Sequence, residues 1–513
     1  MINNVPRRVA LQRLGAVIAG VGLLSSARAP AQSRTRFVLD PFSLGVASGY
    51  PTRNGISLWT RFAPAPLRID GGMSDEPVAF VCEVASDENF QSIVRTVNAE
   101  AYPEVAHSVH LDIDGLAPGR SYFYRFQSGD ATSRVGRFAT LPDNIDAYRI
   151  AFGSCQNFEH GYFSAYRQMQ RDDPQLVLFL GDYIYESQWG ADPIRRHFGP
   201  ESMTLAQYRT RHAQYKLDAD LQAMHAAVPF AFAWDDHEVD NDYAGDVSEN
   251  LDPQFFKRRI AAYQAFFEHM PLPRRMFPQR DEMRIYTHFD IGSLLRIYLL
   301  DDRQYRTPQP CPRANRVASQ VLDRCDETAL AHTLLGATQE AWLDKAFSSS
   351  RAQWNLIAQQ TLFAPLDESP GAARGLWTDG WDGYPQSRQR VLDALRKTAL
   401  RNPVIVGGDL HANVVAAVPG DPERFDSPPI ASEFVATSIS ADARPQTYYD
   451  ERGADNPHVQ LMRSDIRGYT LLDIGRDRVE AKLQAVSDVR VREPSFSTLA
   501  RFVVEDGKAG PVR

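Results

Sequence analysis

Four apolar runs in this chain end in loops crowded with glycine and with side chains that bind metals. Ile150-Ala151-Phe152 runs into Gly153-Ser154-Cys155-Gln156-Asn157, and Leu176-Val177-Leu178-Phe179-Leu180 into Gly181-Asp182-Tyr183-Ile184-Tyr185-Glu186. Phe230-Ala231-Phe232-Ala233-Trp234 leads to Asp235-Asp236-His237-Glu238, and Val404-Ile405-Val406 to Gly407-Gly408-Asp409-Leu410-His411-Ala412-Asn413. Asp182, Asp236 and Asp409 offer hard oxygen donors, His411 an imidazole, Tyr185 a phenolate and Cys155 a thiolate. Carboxylates crowded together repel one another unless cations lie between them. Oxygen donors alone favour calcium, magnesium or manganese, whereas thiolate and imidazole favour transition metals. The mixture points to at least two metals, one of them iron, because a phenolate suits a small, highly charged ferric ion better than zinc. Two metals side by side clamp phosphoryl oxygens and lower the pKa of a water aimed for in-line attack on a phosphate ester. His237, next to Asp236, is placed to protonate the leaving oxygen or to stabilise charge in the transition state.

Such a site needs strands that deliver their ends to one rim. In open α/β sheets, ligands sit beyond the carboxyl ends of the strands, so if the four runs are neighbours all four loops meet at one rim. The glycines let the backbone turn sharply and approach a bound group. From Tyr148 onward apolar strands alternate with helical stretches (Leu251 to His269, Thr338 to Ser349, Ser387 to Leu400), the rhythm of a layered α/β domain, expected over 148–485. Before it, residues 36–142 read as all-β. Gly55 to Arg61, Ala79 to Val84 and Ser121 to Phe126 carry β-branched and aromatic residues, and Leu116-Ala117-Pro118-Gly119-Arg120 makes a turn. That spacing suggests a sandwich of the fibronectin III or Ig-like kind. Thr140-Leu141-Pro142-Asp143 reads as the hinge. The tail, 486–513, is less regular and is expected to pack back as a short helix.

The N-terminus has the layout of an export signal. Arg7 and Arg8 precede an apolar stretch from Leu14 to Leu24, and Ala27-Arg28-Ala29 and Ala29-Pro30-Ala31 offer small-residue cleavage sites. The paired arginines resemble a twin-arginine signal, read by the twin-arginine export machinery, over residues 1–31. Ala10 stands where that signal usually has Phe, and the plainer reading is an ordinary secretory signal. Either places the protein in the periplasm or outside the cell. The stretch is shorter than the roughly 20 residues a spanning helix needs, and no later run is long enough. With 43% hydrophobic and 23% charged residues the chain is ordinary for a globular protein, and a net charge of −8 argues against nucleic acid as its main partner. Its four cysteines are too few for a disulfide scaffold. Cys311 and Cys325 flank a polar segment that a disulfide could staple, and Cys82 reads as a buried small hydrophobe.

Taken together the motifs resemble the PhoD-like alkaline phosphatase family of the metallophosphoesterase superfamily. They are Gly-Ser-Cys-Gln at 153–156, Gly-Asp-x-x-Tyr at 181–185, Trp-Asp-Asp-His-Glu at 234–238, Trp-Asp-Gly-Tyr-Pro at 381–385 and Gly-Gly-Asp-Leu-His-Ala at 407–412. Leu44 to Gly49, followed by Leu58-Trp59-Thr60-Arg61, fits the same pattern. Gly-Asp-x-x-Tyr is also similar to a signature of purple acid phosphatases. The resemblance covers almost the whole mature chain. It implies an α/β/β/α metallophosphoesterase sandwich preceded by a β-sandwich. It also implies Fe3+ and Ca2+ in preference to zinc or manganese. Cys155, Asp182, Tyr185 and His411 would hold the iron, Asp182 would bridge, and Asp236 and Asp409 would face calcium, with Asn157 and Asp235 as further candidates. Substrates of the family are phosphomonoesters, phosphodiesters or both.

Three readings follow. The first is an exported phosphatase acting on phosphate-ester small molecules by metal-bound hydroxide attack. The second is a phosphodiesterase of phospholipase D type using the same cluster, and the third a non-catalytic metal-binding protein. Arg303, after the apolar run Leu294 to Leu300, is placed either to bind substrate phosphate or to pair with Asp301 or Asp302. Trp377, Trp381 and Tyr384 read as a wall of the cleft, and Asp240-Asn241-Asp242 as a solvated acidic loop.

Overall fold

A computed structural model describes residues 36–190, 192–323, 325, 332–371 and 374–513. The proposed export signal lies outside the described residues. Two sheets stack at the centre. The first has nine strands, in the order Phe496–Glu505, Arg478–Val486, Arg467–Gly475, Ala147–Gly153, Leu176–Leu180, Phe230–Ala233, Val46–Gly49, Ile56–Arg61 and Ser108–Ile113. The second has seven, in the order Thr287–Ile291, Leu295–Leu299, Trp354–Ala358, Pro403–Gly407, Pro429–Val435, Asn413–Pro419 and Val459–Arg463.

The alternation of side chains along a strand sorts the second sheet into two faces. Ile297, Leu299, Leu356, Val404 and Val406 point inward, into one core with Ile150, Phe152, Leu178 and Phe232 of the first sheet. Tyr298, Ile357 and Ile405 point outward and are covered by Leu343, Phe347, Leu392 and Leu395. Those four belong to helices Gly336–Ser349 and Pro385–Thr398. Helices Leu205–Lys216 and Phe255–His269 contribute Tyr208, Tyr215, Ala262 and Phe266 to the core of the first sheet. The former begins on a capping box between Thr204 and Gln207, which satisfies two of the free N–H groups at its start. The layers are therefore helix, sheet, sheet, helix, as expected.

The N-terminal sandwich is less separate than its sequence suggests. One of its layers, Val78–Ala85 with Ile93–Ala101, Ser121–Ser128 and two short strands, is an independent five-stranded sheet. The opposing layer, Val46–Gly49, Ile56–Arg61 and Ser108–Ile113, continues the nine-stranded sheet. Gly49 pairs with Phe230 in parallel, and Tyr50 N–H donates to Phe230 O at 3.1 Å. Cys82 is buried between the layers. At the other edge the tail is a strand rather than a helix. Ala500, Phe502 and Val504 are buried at every second position of Phe496–Glu505, a period of two that suits a sheet.

Lys216, at the end of its helix, is buried at this junction, with Nζ 4.2 Å from the ring centroid of Trp59. Burial lowers its amine to about 7. Between that value and the ordinary ~10.4 the unfolded chain holds a proton that the folded chain lacks, so stability rises with pH across this window. Lys216→Met is expected to abolish the slope and to raise stability at pH 7 by on the order of 2 kcal/mol, the cation–π contact offsetting part of the burial cost. Chemical denaturation at pH 7 and pH 10 would check both.

Candidate metal centre

Ala147–Gly153, Leu176–Leu180 and Phe230–Ala233 are parallel neighbours, so their ends share one edge. The fourth run, Pro403–Gly407, is not their neighbour and lies in the facing sheet. It reaches the same rim from across the sandwich. A Cβ on Gly408 would lie 2.2 Å from Ser154 Oγ, and one on Gly181 would lie 2.4 Å from Asp235 Cβ, so close approach explains both glycines.

The turns that end these strands are unusual. Cys155 (φ 59°), Asp182 (φ 58°), Asp409 (φ 62°) and His411 (φ 53°) all adopt the left-handed backbone region. Each such residue costs of order 1–3 kcal/mol, a strain that clusters where a site needs it. Here it aims four of the six proposed ligands into the gap between the sheets.

Two groups of donor atoms result, each with its atoms within 4.8 Å of one another: Cys155, Asp182 and His411, and Asp182, Asp236 and His237. Asp182 belongs to both. Tyr185 Oη donates to Asp182 Oδ2 at 3.0 Å and lies 3.1 Å from His411 Nε2. His411 Nδ1 is held by the carbonyl of Asp442, which leaves Nε2 facing the group. Asp409 joins neither group at that spacing. Its Oδ2 is nonetheless buried without a hydrogen-bond partner among the described residues, and its charge acts on Cys155 and Asp182.

Electrostatics shows what the cluster calls for. Burial, then the charges of Asp236, Glu238 and Asp409, push Asp182 well above the usual carboxylate range, against the opposing pull of His237. Burial raises Asp409 to about 6, and burial with Asp182 pushes both the Cys155 thiol and the Tyr185 phenol well up. Burial lowers His411 to about 3, keeping its imidazole neutral. Asp236 sits low, at about 2: burial works against this, but Arg303 and then His237 overcome it. Asp182 Oδ1, Asp235 Oδ2 and Asp409 Oδ2 are buried with no hydrogen-bond partner among the described residues. Buried oxygens of this kind are costly unless paired or bound to a metal. Cations among them would satisfy the orphaned oxygens and stabilise the thiolate and phenolate, so these residues fit a metal centre.

The surroundings brace this arrangement. Glu238 accepts the backbone N–H of Asp182 at 3.1 Å and of Asp235 at 2.8 Å, tying two strand ends together. Asp236 Oδ2 accepts from Asp242 N–H at 2.7 Å, and Asp242 in turn accepts from Ser319. The run Asp240 to Asp242 is thus largely buried structure rather than a solvated loop. Ser319 lies between Cys311 and Cys325, which are joined by a disulfide. His237 Nδ1 is 2.7 Å from Glu186 Oε2, and its ring packs 4.2 Å from that of Tyr185. Glu186 and Asp242 carry no signal in the sequence beyond nearness to a motif.

Two further expectations are corrected. Arg303 pairs with neither Asp301 nor Asp302 through its guanidinium, and its charge is already engaged. It binds Asp235 and, at 2.8 Å, Asp379, with Asp236 at 3.6 Å. Trp381 and Tyr384 are buried, bonded to Gln359 and the carbonyl of Thr307, so these two pack the loop, whereas Trp377, in a two-stranded ribbon with Val321, is half-buried. Asn157 Oδ1 accepts the backbone N–H of Glu159, and its Nδ2 is buried with no hydrogen-bond partner among the described residues.

The chain is similar to known proteins over most of its length. Residues 150–483 match the PhoD-like phosphatase family and residues 27–142 the N-terminal domain of PhoD-like phosphatases. The chain is 41% identical over 522 residues to alkaline phosphatase D of Bacillus subtilis (strain 168), covering 98% of this chain and 87% of that protein. A solved structure of PhoD superposes with a TM-score of 0.88 at 40% identity, over 93% of each chain.

Proposed function

The chain belongs to the PhoD-like phosphatase family, and from that membership we propose that it is an exported phosphoric ester hydrolase whose centre holds Fe3+ and Ca2+. The observation that carries this reading is the position of Asp182, shared by a sulfur-, nitrogen- and phenol-bearing group on one side and a group of carboxylates with one imidazole on the other. Cys155, Tyr185 and His411 would hold iron, Asp236 and Asp409 would face calcium, and Asp182 would bridge. When bound, the ions supply Lewis acidity toward phosphoryl oxygens and an activated water.

The chain's own residues supply the rest. His237 presents Nε2 to the site while Glu186 orients the ring through Nδ1. A carboxylate in that position favours the imidazolium, which can deliver a proton to the leaving oxygen. Arg303, locked between Asp235 and Asp379, keeps Asp236 ionised. Export is supported by the paired arginines near the N-terminus and by the Cys311–Cys325 disulfide, a bond suited to an oxidising compartment. No helix among the described residues is long and apolar enough to cross a membrane.

The test combines elemental analysis of protein recovered from the periplasm or medium with hydrolysis of p-nitrophenyl phosphate and bis-p-nitrophenyl phosphate. Near-stoichiometric iron and calcium-dependent cleavage of the monoester are expected. Preference for the diester would make the protein a phosphodiesterase. Zinc without iron would overturn the ligand assignment, and no hydrolysis of either ester would overturn the enzyme reading.

A further inference from the structure

Four of the seven tryptophans, Trp59, Trp234, Trp354 and Trp381, are fully buried. Trp189 is 37% exposed, although burying such a ring is among the larger apolar gains open to a side chain. It stands beside the site, edge-on to His237 with ring centroids 5.2 Å apart.

Its backbone is held at both ends. Trp189 N–H donates to Oε2 of the buried Glu159 at 3.1 Å, and the same carboxylate accepts the N–H of His197 at 3.0 Å. His160 Nδ1 accepts the backbone N–H of Asp442 at 2.9 Å, which places its proton on Nε2. Nε2 then donates to Trp189 O at 3.1 Å. Because the carbonyl of Asp442 also holds His411 Nδ1, a continuous run of hydrogen bonds joins the Trp189 backbone to a proposed iron ligand.

An aromatic ring fixed through its main chain, left open to solvent and set next to the group proposed to protonate the leaving oxygen is a preorganised contact surface. Trp381 and Tyr384 are buried, so the exposed aromatic ring beside His237 is that of Trp189. We infer that Trp189 is the specificity-determining residue for the organic part of the ester, favouring a flat or apolar leaving group over a polyol. His160 is a positioning residue for it. This rests on the phosphatase reading above.

The test compares metal-loaded wild type, Trp189→Ala and Trp189→Phe on phenyl phosphate and glycerol 3-phosphate. The ratio of kcat/KM for the phenyl ester to that for the glycerol ester is expected to fall about tenfold in Trp189→Ala, mostly through KM, and to recover largely in Trp189→Phe. An unchanged ratio, or an equal loss on both esters, would overturn the inference. Binding of phenylphosphonate and methylphosphonate, followed by calorimetry, decides the matter without turnover. Wild type should prefer the phenyl compound and Trp189→Ala should not. A wild type that hydrolyses neither ester yet shows this preference would sink the phosphatase reading and leave the Trp189 inference standing. A wild type that binds both phosphonates equally, or neither, would overturn it.

Discussion

Replacing Asp182 by asparagine or alanine is expected to lower kcat/KM by about 10³-fold or more, on the scale of losing a key group from a preorganised site, and to release metal as well. Asp182 is the residue common to both donor groups, and its Oδ1 is buried with no hydrogen-bond partner among the described residues. Replacing it should leave the metal-free protein as stable or more so, because it removes a carboxyl whose ionisation is opposed by burial and by the charges of Asp236, Glu238 and Asp409. Metal content, turnover and the melting temperature of the chelated protein, measured on one preparation, separate this from a folding defect. Retained activity with metal in place would put the centre elsewhere. A collapse of stability in the chelated state would make Asp182 a structural carboxylate.

His237→Ala is expected to reduce kcat by about 10²–10⁴-fold, the range for loss of a general acid, with both metals retained. The geometry makes the split informative. A ring nitrogen of His237 lies within 4.8 Å of carboxylate oxygens of Asp182 and Asp236, and its Nδ1 is 2.7 Å from Glu186 Oε2. Loss of calcium along with activity would make His237 a ligand. A substrate with a good leaving group, such as p-nitrophenyl phosphate, should suffer less than an alkyl phosphate, because its leaving oxygen needs the proton less. Equal losses on both would point away from proton delivery. Glu186→Gln, which keeps the hydrogen bond and removes the charge, should fall between wild type and His237→Ala.

Much of the site is legible in the amino-acid order. A residue's capacity to bind metal is a property of its side chain, and an apolar run followed by glycine and a ligand is a local pattern. Chemistry and position alone therefore single out Cys155, Asp182, Tyr185, Asp236, His237, Asp409 and His411. The fold brings them to one rim, with Asp409 somewhat apart. The family motifs add the sandwich and its order of layers. The boundaries of the chemistry-bearing strands are likewise readable to within three residues, because turn residues and apolar runs punctuate them locally.

What the sequence leaves open depends on partners distant along the chain. Nothing near Val404–Val406 says that this strand belongs to the facing sheet, since an apolar run buried on both faces has no preferred neighbour. The partners of Arg303 are 68 and 76 residues away, and only tertiary packing could prefer Asp235 and Asp379 over the adjacent Asp301 and Asp302. The acidic run at 240–242 reads as solvated because charge usually is. It is buried because Arg258, Ser319 and the Asp236 carboxylate meet it there. Which groups perform the chemistry, and on which strand ends they sit, is thus written locally in the chain. Their spacing, their charge state and the exposure of Trp189 belong to the folded molecule, because burial and electrostatic coupling are set by whatever the fold packs alongside.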